Sequence, residues 1–148
     1  MTSVEKRRQM TVLENLTEPL LSEIDKVDFQ QGIVLFNDKL FWESHEMWEQ
    51  VWKRHAQNNR IFFQGLIQIA AGMHQLQRQI PHGVEKHFRN ARWKLKPFAP
   101  VCLGLDVTSL LDALDAGLKE LFRLGPRKIS ELRETFRIHI DQAKSSLE

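Results

Sequence analysis

Ionisable and aromatic side chains are concentrated in residues 41–52, FWESHEMWEQVW, which hold three of the four tryptophans of the chain. The same segment carries three glutamates and one histidine. Ionisable groups are rarely packed beside so much indole surface unless another group pairs with them. Histidine and glutamate at this spacing could bind a metal, transfer protons or form hydrogen bonds inside a core.

Helical spacing predicts how these residues are arranged around a helix. At about 100° per residue, Phe41, Trp48 and Trp52 fall on one broad face of a helix. His45 and Glu49 are four residues apart and line one edge of that face. Glu46 and Glu43 lie further round the helix. The spacing therefore predicts that His45 and Glu49 are half-buried neighbours.

The next helical segment, RIFFQGLIQIAAGMHQL, offers a counterpart. Gln64, Gln68, Ala71 and Gln75 share one face of it, and its glycines and alanines allow another helix to approach closely. Glutamine amides can donate to a carboxylate and accept from an indole N–H. We therefore predict an antiparallel helix pair with a polar cluster whose candidate members are His45, Glu46, Glu49, Gln64, Gln68, Glu43, Arg60 and His74.

The favoured interpretation of this cluster is structural: a satisfied hydrogen-bond network in which Glu49 accepts from Gln64, Gln68, His45 or an indole. The first alternative is a divalent metal bound by His45, Glu46 and Glu49, with His74 or another carboxylate as a further ligand. The zincin helix would need a second histidine, and the di-iron motif Glu-x-x-His is one residue longer than the spacing here. No cofactor is expected otherwise.

A second alternative is an acid–base enzyme that uses His45, Glu46 and Glu49. The sequence contains no recognisable nucleophile motif, phosphate-binding loop or cofactor-binding motif. The residues leave the question of enzymatic activity open. A non-enzymatic role in binding a protein partner, or in self-association, is ranked ahead of catalysis.

A basic stripe gives a third hypothesis. The net charge of residues 11–59 is −5, from nine acids and four Lys/Arg, whereas residues 78–96 carry six Lys/Arg and one acid, a net charge of +5. Basic residues with an interleaved aromatic residue could bind nucleic acid weakly. A solvated helix face, an acidic partner or the acidic first third of the chain would account for them equally well. The stripe consists of His82, Lys86, Arg89, Trp93 and Lys96.

The elements that position these residues are all helical. No alternation is long enough to predict a strand, and helices are predicted at about 29–36, 41–56, 59–78, 81–96 and 110–121. Gly125 and Pro126 then introduce a C-terminal helix with the apolar positions Ile129, Leu132, Phe136, Ile140, Ala143 and Leu147. We predict an all-α compact bundle of about six helices with a central antiparallel pair. Residues 1–25 form a partly helical extension, and residues 26–148 form one domain.

Composition predicts a cytoplasmic protein. The 148 residues contain one cysteine, Cys102, which excludes an internal disulfide framework and fits a reducing compartment. Cys102 lies in an apolar stretch and is interpreted as a small buried residue. No apolar run follows the N-terminal charges, and none elsewhere is long enough to span a bilayer.

Three motifs resemble those of the family known as domain of unknown function 309: LFNDKLFWESHEMWEQVW, RIFFQGLIQIAAGMHQLQ and KLKPFAPVCLGLDV. The resemblance covers roughly residues 29–107. It departs at Lys39, in a turn often occupied by glycine, and at Ser44, where alanine is common. The resemblance implies a small all-α fold of a bacterial, archaeal or plastid type of protein. It implies no activity.

Overall fold

A computed structural model describes residues 16–142 of the chain. Within that range, six α-helices surround a single core, and one short antiparallel hairpin joins the fourth helix to the fifth. Helices α1 to α6 are Glu23–Asn37, Phe41–Arg54, Ile61–Gln77, Pro81–Leu95, Val107–Leu124 and Ile129–Thr135. Strands β1 and β2 are Val101–Cys102 and Leu105–Asp106. The predicted all-α bundle and its central antiparallel pair, α2 and α3, are confirmed.

Helix α3 is the centre of the bundle because it is apolar on most of its circumference. Ten of its 17 residues are buried. Gly65 and Gly72 allow α4 to approach, since a Cβ at these positions would lie 2.6 Å from Leu95 and 2.5 Å from Phe88. Helix α4 is amphipathic and begins with Pro81, a residue suited to the first turn of a helix.

Helices α1 and α2 pack closely through a large and a small residue. The fully buried indole of Trp48 lies against Gly32, and its Nε1 donates to the carbonyl of Phe29 at 3.2 Å. The Ser44 hydroxyl donates to the carbonyl of Gly32 at 2.8 Å. The hydroxyl of Ser44 therefore bonds α2 directly to the backbone of α1, which an alanine could not do.

An ion pair ties the other end of α1 to α2. The Arg54 guanidinium donates to Asp25 at 2.7 Å and to Asp28 at 2.6 Å, and the Asp25 side chain is only 8% exposed. Helix α1 begins at Glu23, with the Ser22 hydroxyl accepting from the Asp25 N–H. It is thus longer than the predicted 29–36 helix and starts within the predicted N-terminal extension. Residues 16–22 are not helical, and residues 1–15 lie outside the described range.

The hairpin and the helix ends follow local sequence signals. Leu103 and Gly104 have φ values of 50° and 76°, as a two-residue turn requires, and the Asp106 carboxylate caps α5 by accepting from the Ser109 N–H. Gly125 ends α5 with φ 81°. Cys102 is buried, as predicted, and burial raises the pKa of its thiol to about 12.

The predicted C-terminal helix is wrong beyond residue 135. Helix α6 ends at Thr135, and the chain continues in extended form, with Ile138 and Ile140 buried between exposed neighbours. The Asn37 side chain pairs with Ile140 by donating to its carbonyl at 3.0 Å and accepting from its N–H at 2.9 Å. These bonds replace helical ones. The predicted positions Ala143 and Leu147 lie outside the described residues.

None of the helices in residues 16–142 combines the length and the apolar character that crossing a membrane requires.

Candidate functional site

Helices α2, α3 and α4 form a layer with a polar strip on one side. On α3 this strip comprises the partly buried Gln64, Gln68, Ala71 and Gln75, which lie between the contacts of α3 with α2 and those with α4. Residues of the two outer helices border the strip. We call this surface the polar face; its members are Trp42, His45, Glu49 and Trp52 of α2, Gln64, Gln68, Ala71, His74 and Gln75 of α3, and His87 and Lys94 of α4.

An aromatic stack closes one end of the polar face. The rings of Trp42 and His45 are parallel within 9°, with centroids 4.9 Å apart. The His74 ring lies 5.3 Å from Trp42 on the neighbouring helix. Trp42 is nevertheless 47% exposed. Two imidazoles therefore hold a large aromatic side chain in place at the surface.

The other end of the polar face holds a cation over an indole. The Arg60 guanidinium lies 4.9 Å from the centroid of the Trp52 ring. The indole Nε1 of Trp52 is buried and has no hydrogen-bond partner within residues 16–142, and the same is true of Nδ1 of His45. These two atoms are two helical turns apart on the same helix. Each leaves a donor or acceptor unsatisfied, which costs about 1–3 kcal/mol.

Between these ends, the predicted neighbours His45 and Glu49 do meet. Nδ1 of His45 lies 3.7 Å from a carboxylate oxygen of Glu49, which is too long for a hydrogen bond. The side chains are 17% and 36% exposed, respectively. The prediction of half-buried neighbours is thus confirmed, whereas the predicted hydrogen bond between them is not formed.

Gln68 is bonded to α4 instead of α2. Its side-chain oxygen lies 2.6 Å from Nδ1 of His87, so that this ring nitrogen carries the proton. Neither Gln64, Gln68 nor a tryptophan donates to Glu49. Within residues 16–142, none of the hydrogen bonds that we predicted to Glu49 is therefore formed.

Burial lowers the pKa of His45 and of His87. Loss of solvation lowers the pKa of His45, and the negative charges of Glu49 and Glu46 oppose this only in part. Desolvation likewise lowers the pKa of His87, helped by the positive charges of Lys86 and His45. Burial also lowers the pKa of Lys94. The polar face therefore presents two neutral imidazoles at neutral pH.

These shifts predict that acid destabilises the protein. A histidine with a lowered folded-state pKa stabilises the fold fully above its unfolded pKa of about 6.5, and this stability is lost as the pH falls through the folded pKa. We expect the free energy of unfolding, measured by urea titration, to fall between about pH 7 and about pH 5. The double variant His45→Gln, His87→Gln should lose part of that pH dependence.

His82→Gln, at an exposed position outside the polar face, is the matched control for the substitution itself. An identical profile for the wild type and the double variant would show that neither buried imidazole is responsible.

The remaining members of the predicted cluster are dispersed. Glu43 and Glu46 are exposed on α2, Arg60 covers Trp52, and His74 belongs to the aromatic stack. Among residues 16–142, no three His, Cys, Asp or Glu side chains come together in a way that could hold a metal ion. Metal binding by His45, Glu46 and Glu49 stays a prediction that elemental analysis would decide.

The predicted basic stripe lies along one face of α4. His82, Lys86, Arg89 and Lys96 are exposed and Trp93 is partly buried. Arg89 pairs with Glu85 on its own helix at 3.1 Å. Its neighbour Arg92 pairs with Asp115 of α5. In the described part of the chain, the ion pairs of α4 are thus made with its own helix and α5. Nucleic-acid binding stays a prediction.

Sequence reasoning missed His87 and Lys94 as members of the polar face. The two residues are seven positions apart on α4, and both lie at the border between its buried positions and its exposed basic stripe. That spacing was the available signal, but it carries meaning only once the rotation of α4 against Gln68 is known.

The comparisons with known proteins agree with the motifs. The model of the family described as Domain of unknown function (DUF309) matches residues 29–87. No curated protein matches the chain. The match includes all of α2 and α3, so that it covers most of the polar face. It confirms the resemblance predicted from the first two motifs; the third motif, KLKPFAPVCLGLDV, lies outside the matched residues.

Proposed function

We propose that this chain, which resembles the domain of unknown function 309 family, is a non-enzymatic cytoplasmic module that binds a protein partner through the polar face. The partner would place an apolar or cationic side chain on Trp42 and backbone carbonyl groups along α2. The proposal depends above all on one observation: a half-exposed tryptophan that is fixed by two imidazoles.

A fixed tryptophan at a surface is well suited to recognition. Tryptophan contributes a large contact area, and it is enriched among the residues that dominate the energy of protein interfaces. An immobile side chain also loses little conformational entropy when a partner binds. The stacking of Trp42 on His45 and its contact with His74 provide this immobility before any partner arrives.

The unsatisfied nitrogens of His45 and Trp52 support the same role. Both lie on the side of α2 that borders the polar face. Movement of the side chains around these nitrogens on docking would open them to polar groups of a partner, while the His45 ring stays stacked on Trp42. The cost of leaving these groups unpaired in the free protein would then be recovered on binding.

The geometry favours binding over catalysis. General acid–base chemistry needs a base held within hydrogen-bonding distance by an orienting group. The 3.7 Å separation of His45 and Glu49 is longer than that, and no hydrogen bond orients the His45 ring through Nδ1. Gln68 orients His87 and not His45.

The test replaces Glu46, which is exposed on α2 one turn from Trp42, by a photo-crosslinking amino acid in the full-length chain and irradiates living cells. We expect one or a few defined partners to be captured. With a purified partner, Trp42→Ala should then weaken binding by at least about 10-fold, equivalent to about 1.4 kcal/mol. The partner is a second copy of the chain if the captured species is a dimer.

The same photo-crosslinker at Phe122 serves as the control, because this side chain is 91% exposed on α5, away from the polar face. Identical capture at both positions, or an affinity that Trp42→Ala leaves unchanged, would refute the proposal. A melting temperature of Trp42→Ala close to that of the wild type is needed to attribute the loss to recognition.

A further inference from the structure

A cavity of about 490 Å³ lies on the opposite end of α3 from Arg60. The α1–α2 turn, the C-terminal end of α3 and the chain at the end of α6 surround it. Its volume falls within the range of roughly 300–1,000 Å³ that is typical of small-molecule sites. None of the residues of the polar face lines it.

The side chains that line this cavity form an apolar floor and a polar rim. Phe36, Phe41, Met73 and Leu76 form an apolar floor and are all less than 5% exposed. The rim is polar and mostly cationic. It includes the cations Lys39, Arg133 and Arg137 and one carboxylate, that of Glu134. His139 also lines the rim, and its Nε2 lies 3.3 Å from the carboxylate of Asp141.

The cations of the rim are available to a ligand. Among residues 16–142, neither Lys39 nor Arg133 forms a salt bridge. The guanidinium of Arg137 donates to the carbonyls of Arg133 and Phe136, at 3.0 Å and 2.8 Å. These bonds fix the position of Arg137 but leave its charge unneutralised.

The backbone conformation of Lys39 sets the position of this lysine at the cavity. Lys39 has a φ of 65°, in the left-handed region, and its carbonyl accepts from the Gln77 side chain at 3.1 Å. A residue with a Cβ carries a cost of about 1–2 kcal/mol in this conformation, which glycine would avoid. This conformation ends α1, where the Lys39 N–H donates to the Phe36 carbonyl and the Leu40 N–H donates to the Leu35 carbonyl, both at 2.9 Å. The strained position places a lysine at the rim of the cavity.

We propose that this cavity binds a free amphipathic anion, with one carboxylate or phosphate head group and an unbranched apolar tail. The head group would pair with Lys39 and Arg133, and the tail would lie against Phe136, a partly exposed apolar side chain of the lining, above the buried floor. The apolar floor selects against small inorganic anions, and the cationic rim selects against neutral or cationic amphiphiles. This inference is independent of the partner-binding role of the polar face.

Decanoate is the probe for this site, measured by isothermal titration calorimetry on the full-length protein below the concentration at which it forms micelles. We expect saturable binding of one decanoate per chain. The double variant Lys39→Ala, Arg133→Ala should weaken it by at least about 10-fold, whereas Lys53→Ala, Arg127→Ala, at exposed positions outside the lining, should not.

Lys39→Gly separates binding from folding. It removes the strain together with the charge, so that the protein should become more stable while its affinity for decanoate decreases. A variant that lost binding because it failed to fold would show the opposite change in stability.

The proposal fails if decanoate does not bind saturably, or if its affinity is insensitive to the substitutions at Lys39 and Arg133. It also fails if decylamine binds as tightly as decanoate, or if inorganic phosphate displaces decanoate as well as unlabelled decanoate does. Phosphatidylglycerol vesicles test a membrane surface as the source of the anion. Lys39-dependent binding to vesicles without binding of free decanoate would also contradict a site for a free ligand.

Discussion

Gly32→Ala is expected to lower the free energy of unfolding by about 3 kcal/mol. A Cβ on residue 32 would lie 2.2 Å from Nε1 of Trp48, and the indole is fully buried, so it cannot move aside. Either α1 moves away from α2 or the indole rotates and loses its hydrogen bond to the carbonyl of Phe29. Urea denaturation followed by tryptophan fluorescence measures the change.

Gln31→Ala provides the control for that experiment. Residue 31 is the exposed neighbour of Gly32 on the same helix, and alanine there has a high helix propensity. Its substitution should change stability by less than about 0.5 kcal/mol. Equal stabilities for the two variants would mean that α1 and α2 are not in the close contact described here.

Asn37→Ala is expected to destabilise the protein by about 2–3 kcal/mol, because it removes both hydrogen bonds to the backbone of Ile140. Ile140 is 2% exposed, so its N–H and carbonyl groups would have poor access to water. The effect should be concentrated in the C-terminal segment. Hydrogen exchange measured by NMR should therefore show faster exchange of the Ile140 amide.

Two further variants make the Asn37 prediction specific. Asn37→Asp keeps the acceptor for the Ile140 N–H but loses the donor, so that its loss of stability should be intermediate. Asn58→Ala, at an exposed position before α3, should have little effect. An Ile140 amide that exchanges at the wild-type rate in Asn37→Ala would refute the assigned pairing.

Local patterns were sufficient to predict most of the helices. Helix α4, for example, combines an N-terminal proline with apolar residues at Val84, Phe88, Ala91 and Leu95, and all four are buried. The hairpin was not predicted because each of its strands has two residues, which is too short for an alternating pattern to be visible.

The C-terminal segment shows why periodicity can fail. Phe136, Ile138 and Ile140 alternate with the exposed Arg137 and His139, as in a strand. The helical spacing of Leu132, Phe136 and Ile140 described the same residues equally well. The contact that decides between them comes from Asn37, 103 positions away in sequence, which no local pattern could reveal.

In the candidate site, too, some contacts could be predicted from local patterns and others could not. The proximity of His45 and Glu49 was predictable, because residues four apart on a helix are neighbours. The partner of Gln68 was not, because it depends on which side of α4 faces α3. Gln68 bonds to His87 and not to Glu49 because of how the helices pack.

The composition of α3 also determines where this protein can change during evolution. Its ten buried residues are surrounded by other helices, so most substitutions there would unfold the chain before they altered recognition. Gln64, Gln68, Ala71 and Gln75 are not subject to that restriction to the same degree. Mutations at these four positions can alter the polar face while the scaffold persists. Within α3, changes in binding specificity among descendants of this sequence would therefore be concentrated in this strip and at the adjoining His74.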